Sequence, residues 1–239
     1  MSSEWTVQYY QRVLATDPFA YWMLDEKSGA VAYDLVSGRV AGAQNGAHTG
    51  VTLWQDGIGD GRTCPLYDGA NDYTNIYTAA FAGAFPGAEG SVAIWVQVSG
   101  AGVWTDGNEH RLVTMLVNND NFILIRKATT NNTLQWIYKA GTASKFFSVG
   151  GYSSTDWFHT VLTWSKSADE ANIYYNGSSA AATQNGLGVW AGALNPVYTV
   201  IGSTDTVPSS VWSGYLAHVA LWNSALTPAQ VASLARNKV

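Results

Sequence analysis

Seventeen carboxylates, four histidines and a single thiol carry whatever acid–base chemistry this 239-residue chain can do. Hydrolysis of a glycosidic bond needs two carboxylates across one groove, about 5 Å apart where configuration is retained. On a strand this means alternate residues, as in Glu-x-Asp-x-Glu, because only alternate side chains share a face. No stretch carries that pattern. Asp68, Asp106, Asp120 and the pair Asp169-Glu170 sit among turn residues, and Asp25-Glu26 are adjacent and so point two ways. His48, His110, His159 and His218 are not at metal-ligand spacing. Of these, His159 and His218 lie in strand-like runs and read as structural. There is no G-x-S-x-G elbow and no glycine loop that would hold phosphate between a strand and a helix. Cys64 stands alone, which excludes an intrachain disulfide and a cysteine-built zinc site and leaves a buried, inert thiol as the expectation. No catalytic residue is assigned, and binding is the chemistry to look for.

Two loop-like stretches suit binding. GAGVWTDGNEHR, from Gly100 to Arg111, places Trp104 close to Asp106, Asn108, Glu109 and His110. GLGVWAGALNP, from Gly186 to Pro196, adds Trp190 and Asn195. Sugars offer C–H patches ringed by hydroxyls, so an aromatic face beside amides and carboxylates is a suitable host. Trp104, Asp106, Asn108, Glu109, Trp190 and Asn195 are therefore the candidate contacts for a glycan or a protein partner. The alternative is that both tryptophans fold back onto the core or into a subunit contact.

The elements that position these loops are strands. Charged residues make up 12% of the chain and aromatics 13%, with 11 Trp and 24 scattered Gly, a composition that suits many strands and turns and argues against disorder. Strand-like runs include FAYWML, SVAIWVQV, RLVTMLV, NFILIR, TLQWIYK, WFHTVLTW, ANIYYN, VYTVIG and SGYLAHVALW, with turn signals at Asn118-Asn119-Asp120 and Asn176-Gly177. In SVAIWVQV, alternation puts Val92, Ile94, Val96 and Val98 on one face and Ala93, Trp95 and Gln97 on the other. In SGYLAHVALW the same rule groups Tyr215, Ala217, Val219 and Leu221 against Leu216, His218, Ala220 and Trp222. Both faces there are mostly apolar, which predicts a central strand covered on both sides.

A helix is expected within residues 1–18, capped by Ser2 or Ser3 with Glu4 in its first turn, presenting Trp5, Tyr9 and Val13 and stopped at Asp17-Pro18. Residues 19–239 form the remaining β domain, closed by a helix over 227–236 that opens on Thr227-Pro228-Ala229-Gln230, a cap, an N1 proline and a capping-box glutamine. With no βαβ rhythm, the fold class is all-β, an antiparallel two-sheet sandwich with short N- and C-terminal helices. The amino end carries no basic and apolar leader pattern, and no apolar run approaches the ~20 residues of a membrane helix. A net charge of −5 with dispersed basic residues gives no nucleic-acid footprint.

Five segments, in order, resemble the laminin-G-like group of concanavalin A-like jelly rolls: AYWMLDEKSGAVAYDLVSGR, YDGANDYTNI, SVAIWVQV, WFHTVLTWSKSADEANIYYNG and GYLAHVALWNSALTPAQVASL. The resemblance spans nearly everything from Ala20 onward and implies two antiparallel sheets used mostly for recognition of carbohydrates or proteins. In that group an acidic pair in the closing strand can join an aspartate at the position of Asp34 around calcium. This chain has Ala217-His218 instead, so calcium, which wants about six to eight oxygens, would rest on Asp34 with backbone carbonyls and other loops; otherwise Asp34 makes an Asx turn. The segment before AYW is similar to the openings of bacteriophage structural proteins. The expectation is thus a non-catalytic virion surface protein, a capsid decoration or tail component located on the particle or extracellularly. Its partners would be a carbohydrate or a virion or cell-surface protein, and it would be a homo-oligomer, with a trimer favoured. A free-standing lectin and a glycoside hydrolase are the alternatives.

Overall fold

The computed structural model describes residues 8–37 and 43–236. Within them the β-branched and aromatic runs become strands, since such side chains fit a pleated, half-buried surface. In chain order these are β1 (Ala20–Trp22), β2 (Val31–Ala32), β3 (Gly46–Thr49), β4 (Thr52–Asp56), β5 (Thr63–Asp68) and β6 (Tyr73–Asn75). Then come β7 (Glu89–Val98), β8 (His110–Asn118), β9 (Asn121–Lys127), β10 (Thr133–Ala140), β11 (Ala143–Gly150) and β12 (Phe158–Ser165). The last are β13 (Glu170–Tyr175), β14 (Ser178–Ser179), β15 (Gln184–Asn185), β16 (Thr199–Ile201) and β17 (Ser213–Trp222). Three short helices accompany them, α1 (Tyr9–Leu14), α2 (Ala79–Ala84) and α3 (Pro228–Leu234).

The strands make two antiparallel sheets. One has nine strands in the order β14-β13-β12-β7-β17-β5-β4, with β1 also on β17 and β15 also on β13. The other has eight, in the order β11-β10-β9-β8-β16-β6-β3-β2. The Asn176-Gly177 turn joins β13 to β14 with φ of 47° and 82°, the pair of positive values a tight hairpin demands.

Two cores result. Val92, Ile94, Val96 and Val98 of β7 point between the sheets with Trp22, Trp136 and Trp164, as alternation predicts. Ala93 and Trp95 point the other way, into a second core roofed by α1 and α3 that holds Tyr9, Val13, Tyr21, Trp222, Val231 and Leu234. Strand β17 is central and covered on both faces, but the strict alternation expected for it fails. Leu216, Val219 and Leu221 share the inter-sheet core, while Tyr215, Ala217, Ala220 and Trp222 face the helices. The cause is a bulge between Ala217 and Ala220, where His218 takes φ of 54° and shifts the register by one residue.

Thr227 and Gln230 form the capping box of α3, with Pro228 in its first turn. Helix α1 spans Tyr9–Leu14 and buries Tyr9 and Val13; Ser2, Ser3, Glu4 and Trp5 fall outside the described residues. Among the described residues no helix is long and apolar enough to cross a membrane. At the β11 edge the side chain of Gln184 binds the strand twice: Phe146 N–H donates to Oε1 (3.2 Å) and Nε2 donates to the Phe146 carbonyl (2.8 Å).

Gly214 lies at φ of 146°, and a Cβ there would run into the Gln97 carbonyl of β7. Gly83, in α2, faces open space. Gly214→Ala is expected to destabilise by about 2 kcal/mol or more, and Gly83→Ala to stabilise by about 0.5–1 kcal/mol, both read from urea unfolding.

Candidate binding site

The loop before β8 folds differently from the expectation of an open contact surface. Ala101–Thr105 form a 3-10 turn that drives Trp104 into the inter-sheet core, leaving it 1% exposed. Its indole N–H donates to the Ser154 carbonyl at 2.8 Å, and its ring lies against Tyr152 and Phe158. Trp104 is therefore a pillar under a neighbouring loop and offers no face to a ligand.

The polar residues after it are tied to one another. Asp106 accepts from Lys127 Nζ and pairs with His110 Nε2, each at 2.6 Å, and accepts from the Asn108 N–H at 2.9 Å. Lys127 is fully buried and also donates to the Asn108 carbonyl at 2.8 Å. Partial burial alone would raise the Asp106 carboxyl, but the hydrogen bonds from Lys127, His110 and the Asn108 amide prevail and hold its pKa at about 2. Glu109 bridges Arg111, at 2.6 Å, and Arg126.

In the other loop Trp190 is half-buried, packed against Phe85 and Tyr138 and covering Gly87. Asn195 closes a turn by accepting the Val197 N–H at 2.9 Å. The two loops do not converge. The Trp104 carbonyl accepts from Asn132, just ahead of β10, whereas Trp190 stacks on Tyr138 toward that strand's far end.

Asp34 is buried, and its carboxylate accepts N–H bonds from Tyr21 (2.6 Å), Ser37 (2.6 Å) and Val36 (3.3 Å). The bonds from Val36 and Ser37 close an Asx turn, and among the described residues no group of three or more His, Cys, Asp or Glu is placed to hold a metal. At the bulge in β17, His218 lies between Tyr21 Oη (2.7 Å from Nδ1) and Asp60 Oδ2 (3.1 Å from Nε2) beneath α1. An imidazole thus meets the nearby carboxylate from inside the fold. Cys64 is buried, with burial pushing its thiol up to about 12.

Concavities lie in several places: one is lined by Asn108, Glu109 and His110 with Ser210, another by Asp25, Glu26 and Asp34, and two that adjoin lie around GYSSTDW, Gly151 to Trp157. A cleft of about 640 Å³ is walled by Ile58, Trp95, Ser154, Asp156, Trp157, Tyr175, Asn176 and Ala235. A second, of about 470 Å³, lies among Val149, Gly150, Gly151, Tyr152, Ser153, Ser154, Tyr175, Ser178, Ser179 and Ala180. The loop between them is held by its carbonyls: Ser154 by Trp104, Thr155 by Gln97 Nε2 (2.9 Å) and Tyr152 by Asn132 Nδ2 (2.6 Å). Burial raises the phenol of Tyr175, with the Asp156 charge adding to it, and burial likewise raises that of Tyr152, so both stay protonated donors. Sequence reading passed over this loop because Trp157 was absorbed into the run WFHTVLTW, whereas β12 begins one residue later, at Phe158.

The model of the concanavalin A-like lectin/glucanases superfamily, in its laminin G form, matches residues 68–232, and the chain belongs to that family. No curated protein matches it in sequence. Among solved structures, the receptor-binding domain of a botulinum neurotoxin C/D mosaic serotype is 12% identical with a TM-score of 0.67, over 93% of this chain and 52% of that one. The botulinum neurotoxin type G receptor-binding domain gives 13% and 0.61, over 92% and 51%. Trypanosoma rangeli sialidase in complex with sialic acid gives 13% and 0.65, over 90% and 32%. At such identities the likeness is one of fold. The chain spans about half the length of the toxin domains and about a third of the sialidase.

Asp106→Ala would leave Lys127 buried without its carboxylate, and should cost about 3–5 kcal/mol of stability in urea unfolding. His159 is fully buried against Trp95, neither ring nitrogen having a hydrogen-bond partner among the described residues, and burial, with the nearby His218, lowers its pKa from 6.5 to about 3. Between those values the unfolded chain binds a proton that the folded chain refuses, so stability is lost as pH falls from 6.5 toward 3. His159→Leu should narrow the gap between urea midpoints measured at pH 7 and pH 4.

Proposed function

We propose that this chain is a non-catalytic recognition module that binds carbohydrate at the rim built by Gly151–Trp157 and the Tyr175–Ser179 turn. The observation that carries the reading is the pair of adjoining clefts, in which Trp157, Tyr175 and Tyr152 lie beside Asn176, Asp156 and several serine hydroxyls. Aromatic faces complement the C–H patches of a sugar ring, while amide, carboxylate and hydroxyl groups complement its hydroxyls. Similarity in fold to toxin receptor-binding domains and to a sialidase crystallised with sialic acid is in keeping with it. At this rim the hydrolase alternative receives less support. Asp156 is the one carboxylate on the described walls, whereas most glycosidases work with two. The phenols alongside are raised in pKa rather than activated.

A particle-borne setting, as a homo-oligomeric virion surface component, forms the second part of the proposal. Its support is the resemblance of the segment before AYW to phage structural proteins. Mass spectrometry of native particles from the source organism should find the chain; particles repeatedly lacking it would remove this part and leave the binding reading intact.

For binding, a glycan array should return dose-dependent hits. Trp157→Ala and Tyr175→Ala should each weaken the best hit at least tenfold, about 1.4 kcal/mol, in calorimetric titration. Retention of full affinity by both variants would refute the assignment of the site.

A further inference from the structure

We infer that the ligand of this rim is a stretch of at least two linked, uncharged sugar units, held along the chain and not by a terminal acidic sugar. The inference deepens the carbohydrate reading and rests on it.

Its geometric basis is the relation between the two clefts. Each is large enough to be a small-ligand site by itself, given the ~300–1,000 Å³ such sites occupy, at about 640 and 470 Å³. They share Ser154 and Tyr175, so the two compartments adjoin along one ridge. Each also has its own aromatic platform, Trp157 in the larger and Tyr152 in the smaller, with Tyr175 common to both. A monosaccharide can occupy one platform at a time, whereas a linked pair can cover both while the linkage crosses the ridge.

The ridge is rigid. The Tyr175 ring is fixed against Tyr152 (4.8 Å between centroids) and stacked on Phe158 (5.1 Å). Opposite it, the Ser154 carbonyl is anchored by the buried Trp104. Little ordering is left for the ligand to impose, so contacts in the second compartment add to affinity instead of being offset by immobilisation.

Charge sets the preference for neutral sugars. Asp156 is the single carboxylate on the described walls, which carry no Lys, Arg or His, and it is exposed on the larger cleft; the rest are hydroxyl, amide, aromatic and aliphatic groups. A sugar carboxylate or sulfate would meet a like charge with no guanidinium or ammonium on those walls to offset it. Neutral hydroxyls can instead donate to Asp156.

Titration calorimetry with the malto-, cello- and chito-oligosaccharide series, from one to six units, tests chain length, and lactose beside sialyllactose tests charge. Within whichever series binds, affinity should rise at least tenfold from one unit to two or three and then level. Tyr152→Ala should abolish that rise. Because Tyr152 also packs on Trp104, Ser178→Leu, an exposed change that fills the smaller compartment, should give the same result without touching the core. Lactose should bind more tightly than sialyllactose, with Asp156→Asn narrowing the difference. Equal affinity for one unit and for longer chains, or preference for the sialylated sugar, would overturn the inference while the carbohydrate reading survives. No binding by any glycan, in the array or in these series, would overturn both.

Discussion

Strands β7 and β17 are paired through the middle of the nine-stranded sheet, and both are buried on both faces. Everything else in the molecule is arranged around that double burial. Apolar area removed from water is the dominant favourable term in folding, roughly 1.5–3 kcal/mol for a large aliphatic or aromatic side chain. A strand that buries only one face contributes half its residues to it. Here Val92, Ile94, Val96 and Val98 supply the inter-sheet core while Ala93 and Trp95 supply the core under α1 and α3. The terminal helices are therefore part of the sandwich's stability, since without them the outer face of β7 and β17 would lie bare. The bulge at His218 exchanges which alternate residues of β17 serve each core, even-numbered Leu216 before it and odd-numbered Val219 and Leu221 after it facing between the sheets.

A second constraint concerns polar groups. Asp106, Lys127 and His110 satisfy one another, as do Glu109, Arg111 and Arg126, and Asp34 is enclosed by backbone amides. Buried charges persist in folded proteins when paired and hydrogen-bonded. These clusters hold the ends of strands and loops in position, and that is their contribution to recognition. Trp104 illustrates it, since its indole fixes Ser154 in the very loop that forms the ridge between the clefts.

Much of this was legible in the sequence wherever local pattern and tertiary role agree. SVAIWVQV is a regular strand, so its alternation names both sets of buried residues correctly. Thr227-Pro228-Ala229-Gln230 is a purely local capping signal, and α3 starts where it says. SGYLAHVALW misled because a bulge has no reliable signature when the residue at positive φ is a histidine. In the stretch from Gly100 to Arg111 the sequence left two readings of Trp104 open, and the ring takes the inward one. Composition marks a tryptophan among polar residues, but whether its ring turns outward depends on a carbonyl fifty positions away. The rim itself was hidden in plain view, because Tyr152 and Trp157 bracket a short polar run whose last aromatic also reads as the first residue of a strand.

The amide of Gln184 occupies both hydrogen-bonding groups of Phe146 on the outermost strand of the eight-stranded sheet. A side chain there imitates one residue of an absent neighbour and terminates the ladder. Sheet borders with free main-chain groups invite strands from other molecules to add on, the route to swapped dimers and fibrils. With this border stoppered at its midpoint, copies of the protein at high local density are steered away from open-ended polymerisation through it and toward contacts made by faces and loops.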